Sequence, residues 1–116
     1  MNVPFLRDEL IPALRSGRYE QGFGLLRRSE DCFCAMGVLC DLLVKKGVLR
    51  AWERNDLGLY LVSGSATYLP VPVRRFIGCD MTGEFAGHGK SLYELNDLER
   101  LSFDQIADWL AGVLGD

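Results

Sequence analysis

CFCAMGVLCDLLVKK, residues 32–46, is the most apolar part of the chain, and from Cys32 to Val44 its only charge is Asp41. A helix apolar on nearly every side is a central one, covered by neighbours on several faces. Asp31 stands where a cap belongs, and Lys45, Lys46 and Gly47 close the segment as the helix dipole and a left-handed cap prefer. The helix is expected over about 33–46. Gly37 in its middle costs up to ~1 kcal/mol against alanine, and the expected return is close approach of a neighbouring backbone.

Working outward, PFLRDELIPALRS, residues 4–16, gathers Phe5, Leu6, Leu10, Ala13 and Leu14 on one side of a helix. Pro12 predicts a kink or break there, and Gly17 a stop. Residues 18–28 read as an extended segment, an edge strand with Gly22 and Gly24 on either side of Phe23. Beyond the central helix, LGLYLV (57–62) and ATYLP (66–70) flank Ser63-Gly64-Ser65, which predicts a hairpin between them. VPVRRFI (71–77) predicts a short helix, and the glycine-rich residues 78–90 a loop. Ser91 with Glu94, and Ser102 with Gln105, have the capping-box spacing that opens a helix. Phe103, Ile106, Leu110 and Val113 form the apolar stripe of the last one. The expected fold is α+β, one domain over residues 1–116. Its central helix and its N- and C-terminal helices pack on a small antiparallel sheet of three or four strands.

The bulk numbers fit one hydrophobic core without a structural staple: 116 residues, 48% hydrophobic, 25% charged. The net charge of −3, from 13 basic and 16 acidic residues, is too mild for a nucleic-acid mimic. It is also wrong for a protein that grips phosphates, because such binding rewards many basic contacts. Arg27-Arg28 and Arg74-Arg75 read as solvated surface. No apolar run reaches the ~18 residues of a membrane helix, and Met1-Asn2-Val3-Pro4-Phe5 is unlike a signal peptide. A cytoplasmic setting follows as the expectation, with the cysteines as thiols.

Three stretches carry a resemblance: ALRSGRYEQGFGLLR (13–27), CAMGVLCDL (34–42) and LNDLERLSFDQIADWL (95–110). Together they resemble a family of small bacteriophage and prophage proteins that reads ALRSGxYxQGxxxLR, then CxxGVLCDL, a variable β region with an LP dipeptide, and LNDxxxxSFxxIAD. Leu69-Pro70 falls in the matching place. The resemblance covers roughly half the chain and leaves the middle unmatched. It implies origin and fold and gives no residue a role. Small phage proteins often disable a host factor, so it also implies a non-enzymatic inhibitor, for example an anti-CRISPR or signal-sequestering protein.

The residues offer two chemistries. As a binding protein, the expected contacts are Tyr19, Gln21, Asp41, Trp52, Arg54, Asp56 and His88, drawn from the 50–60 region, the 78–90 loop and the edge of the core. Asp41 is the polar residue most out of place, and Trp52 beside a charged stretch has the character of an interface aromatic. The partner would be a host protein complex or a small nucleotide signal, with a homodimer left open and neither membrane nor direct nucleic-acid binding expected. The alternative is a cysteine hydrolase resembling papain in one respect, a cysteine at the start of a buried helix. Cys32 or Cys34 would be the nucleophile, His88 the base and Gln21 the oxyanion donor. No metal or cofactor is expected. The spacing C-x-C-x5-C is no zinc knuckle, since Cys34 and Cys40 point about 240° apart around a helix.

Overall fold

Pro12 does not break the N-terminal helix. In the computed structural model, which describes residues 1–85 and 87–115, the chain is α-helical at Val3–Phe5, π-helical at Leu6–Leu10 and α-helical again at Ile11–Arg15. A proline ring collides with the carbonyl four residues before it. The π turn, with the Ile11 amide bonded to the Leu6 carbonyl, relieves that collision by widening the helix just ahead of Pro12. This composite element, α1, lies along the C-terminal helix Phe103–Val113 and against the central helix Ala35–Lys45. Arg15 and Asp108 pair across the first contact at 2.7 Å, and Lys46 and Glu9 across the second at 3.1 Å.

The central helix starts later than the sequence reading has it. Cys32–Phe33 is a strand, and Cys34, not Asp31, is the cap. The Cys34 backbone is extended there, and its Sγ accepts the Gly37 amide at 3.4 Å. Of the helix residues, only Leu42, Val44 and Lys45 escape burial, so it is the covered helix that its composition predicts. Gly37 is where a neighbour comes in. A Cβ there would lie 1.7 Å from the carbonyl oxygen of Leu26.

The fold is α+β, but the expected sheet of three or four antiparallel strands is absent among the described residues. Two separate ladders of two strands take its place. β1 (Glu20–Gln21) pairs parallel with β2 (Cys32–Phe33), and β3 (Glu53–Arg54) pairs antiparallel with β4 (Tyr60–Leu61). The hairpin therefore forms around residues 55–58 and not between 57–62 and 66–70. Asn55 decides this, because its Oδ1 accepts the amides of both Leu57 and Leu59 at 3.0 Å and closes a shorter turn. Ser63 and Gly64 do make a tight turn, closed by the Val62–Ser65 pair. Past it the chain departs: the Ala66 carbonyl accepts from Leu26, and the Leu69 amide donates to Met81. Pro70 then opens the expected helix, Val71–Ile77, which Gly78 ends in the left-handed conformation. Asn2 fastens that helix to α1 by bonding Ile77 and Phe76. At Ser102 the full capping box forms with Gln105.

Candidate functional site

Asp41 is buried at the side of the central helix, and three groups converge on it. The Tyr19 hydroxyl donates to Oδ2 at 2.7 Å, and the Trp52 indole donates to Oδ1 at 3.0 Å. Lys45, one turn on, pairs with Oδ2 at 3.2 Å and also donates to the Tyr19 hydroxyl. Burial and the bond to Asp41 push the Tyr19 phenol up from its ordinary value, so it stays a neutral donor. Tyr19 and Asp41 together hold the Lys45 ammonium above its usual range. One carboxylate thus fixes two aromatic side chains from separate segments.

These aromatics continue outward as a stack. Tyr19 meets Phe33 edge to face at 5.1 Å between centroids, and Phe33 meets Trp52 at 5.9 Å. The Arg27 guanidinium lies 4.9 Å from the Phe33 ring, 5.4 Å from Trp52 and 4.3 Å from Tyr60. Arg54 covers the same Tyr60 ring at 4.8 Å. Each such contact is worth ~0.5–2 kcal/mol according to how far it is desolvated. Arg27 is further pinned by donating to the carbonyls of Ser29 and Glu30, and Arg54 by donating to that of Gly58. The result is a rigid, half-buried face of tryptophan, tyrosine and arginine at the base of the 53–61 hairpin. A cleft of about 230 Å³ beside it is lined by Arg18, Lys45, Glu30 and Asp31 among others.

Of the residues expected to bind, Tyr19, Asp41, Trp52 and Arg54 come together on this face. Asp56 stands exposed at the hairpin tip, and His88 sits in the 78–90 loop, its amide bonded to Phe85. Gln21 goes elsewhere. Its amide nitrogen donates to Asn96 Oδ1 at 2.9 Å and to the Leu101 carbonyl at 2.8 Å. Asn96 is a buried hub. Its Oδ1 also accepts the Ala35 amide at the start of the central helix, and its Nδ2 donates to Gly22 and Asp97. Every hydrogen-bonding position of Asn96 is used. Arg27, Phe33 and Tyr60 had no local signal in the sequence, because their meeting depends on three separate segments.

The hydrolase parts are not assembled. Cys32 lies on a strand, where burial and then Glu20 push its thiol up. At Cys34 the helix start and the Gly37 amide favour a thiolate, but burial outweighs them and the thiol is pushed up to about 12. Burial also raises Cys40 well above the ordinary thiol value, and it takes Cys79 to about 12. Gln21 has spent its donors, and among the described residues no hydrogen bond joins the His88 imidazole to a cysteine. The four cysteines are free thiols. Two outcomes follow. In the folded protein Cys34 and Cys40 should resist iodoacetamide at pH 8 and react at once when denaturant is added. Stability measured by urea unfolding should be intact below pH 9, the ordinary thiol value, and fall as pH rises from there towards about 12, because the unfolded chain ionises its thiols first. Rapid labelling of folded protein at neutral pH, lost in His88→Ala, would restore the hydrolase.

No group of histidine, cysteine, aspartate and glutamate suited to hold a metal occurs among the described residues. No helix among them is long and apolar enough to cross a membrane. Residues 3–113 match a family described as a domain of unknown function (DUF8296). No curated protein and no solved structure matches the chain.

Proposed function

The chain belongs to this DUF8296 family of domains of unknown function, and we propose that it is a non-enzymatic binding protein of phage or prophage origin that inhibits a host factor in the bacterial cytoplasm. The observation that carries binding is the Trp52–Arg27–Tyr60–Arg54 stack. Binding energy concentrates on tryptophan, tyrosine and arginine held rigid before the partner arrives. The resemblance in the three motif blocks supports the origin, and the raised thiols argue against nucleophilic chemistry. A protein complex fits the face better than a free nucleotide. The adjoining cleft, at about 230 Å³, is smaller than the ~300–1,000 Å³ of usual small-molecule sites. Its basic side chains are also offset by Glu30 and Asp31.

Affinity capture from lysates of bacterial hosts carrying different defence systems tests this. The expected result is one host complex held by the wild type and released by Trp52→Ala, with Kd for the purified complex weakened roughly 30-fold, the size of a ~2 kcal/mol hot spot. Arg54→Ala, an exposed position, should weaken it in the same direction without changing the fold. Absence of any partner across those hosts would sink the reading.

A further inference from the structure

A second feature lies away from the tryptophan face and shares no residue with it. Between the Ser63–Gly64 turn and the helix Val71–Ile77 is a cavity of about 370 Å³. Its walls include Tyr68, Pro70, Val71, Pro72 and Met81, and among the described residues its one charged lining residue is Arg74. Arg74 Nε is buried and has no hydrogen-bond partner, and no carboxylate pairs with that guanidinium among the described residues. Arg27 and Arg54, by contrast, both donate to carbonyls. Native structures satisfy nearly all buried polar groups, so an arginine nitrogen with no acceptor from the chain is unusual.

The mouth of the same cavity carries a second anomaly. Tyr68, Val71 and Met81 are 44%, 44% and 46% exposed and stand among the chain's few exposed large apolar side chains. Three such groups around one opening leave apolar surface in water that a bound molecule would cover. A planar guanidinium recognises carboxylate and phosphate oxygens, two at a time where it can. We propose that this cavity binds a small organic anion, a carboxylate or phosphomonoester with an apolar body, and that Arg74 supplies the countercharge. The anion gives the guanidinium the acceptor that the chain withholds, and the apolar body lies against Tyr68, Pro72 and Met81.

Benzoate and phenyl phosphate are the probes, with benzyl alcohol and inorganic phosphate as the comparators that lack the charge or the ring. Amide chemical-shift titration of the full chain reads both affinity and place. At least one aromatic anion should bind about tenfold more tightly than either comparator, with shifts at residues 63–74 and 81. Which of the two binds distinguishes carboxylate from phosphate. Arg74→Met should lose that preference and keep a Tm no lower than wild type, since it removes an unsatisfied nitrogen and keeps an apolar stem. Should Arg74→Met not fold, Arg74→Lys, which keeps charge but not the fork, and the comparators on wild type decide the matter. Anion binding that survives Arg74→Met, shifts confined elsewhere, or no preference of the wild type for the aromatic anions would overturn the proposal. None of these results bears on the host-factor reading.

Discussion

Gly37→Ala should unfold the protein at moderate temperature, although helix propensity alone would make it stabilising by up to ~1 kcal/mol. The added Cβ would sit 1.7 Å from the Leu26 carbonyl oxygen and 2.6 Å from its carbon, both backbone atoms. That carbonyl is not free to retreat. It accepts the Cys34 amide at 3.2 Å, and the Leu26 amide is tied to Ala66 at 2.8 Å. Relief therefore separates the central helix from the segment that feeds Arg27 into the aromatic stack. The cost should exceed ~3 kcal/mol, beyond ordinary overpacking. A domain of this size holds only about 5–15 kcal/mol in all, so the midpoint of thermal unfolding should fall by more than about 10 °C. An unchanged or raised Tm would mean that the helix and residue 26 do not approach as described.

Leu39→Ala should cost ~2–5 kcal/mol in urea unfolding, because the side chain is wholly buried and its removal leaves a cavity. Leu42, on the same helix, keeps part of its surface in solvent. Its truncation should cost clearly less, and Leu43, also fully buried, is the proper companion to Leu39. A loss below ~1 kcal/mol at Leu39 would place the helix at the periphery, which its burial pattern contradicts.

What was legible follows from how local the deciding interaction is. The central and C-terminal helices were readable because their apolar positions repeat with the helix period, and Ser102 with Gln105 marks a start by local chemistry. The close approach at Gly37 was also readable, since a mid-helix glycine needs a reason. The sheet was not. Strand 60–61 could pair forwards or backwards, and the choice fell to two amides captured by one Asn55 side chain. The long-range bonds of Leu26 with Ala66 and of Leu69 with Met81 then drew the other candidate strand away. The cap was misplaced by three residues, and the helix start by two, because a thiol took the capping role that sequence statistics give to Asp31.

The candidate site divides along the same line. Asp41 stood out as a lone carboxylate in an apolar helix and Trp52 as an aromatic beside a charged stretch, and the fold joins the two by a hydrogen bond. Gln21, read as a binding contact or an oxyanion donor, spends its amide inside the fold. Its partners Asn96 and Leu101 lie at the far end of the chain. The motif blocks that carry the resemblance in fact knit to one another: Gln21 and Gly22 to Asn96, Gly24 to Asp97, Leu26 against Gly37. They build the scaffold. The residues that distinguish the aromatic face, Trp52, Arg54 and Tyr60, come from the unmatched middle, where a rigid core can carry different contacts.

Hydrogen exchange of the purified complex with its captured host partner tests the central claim most directly, because it locates the contact on the chain. New protection is expected in residues 18–31 and 50–61, the segments that carry Tyr19, Arg27, Trp52, Arg54 and Tyr60, with little change in 91–113. Protection confined to the C-terminal helices, with the 50–61 hairpin exchanging as in the free protein, would contradict it.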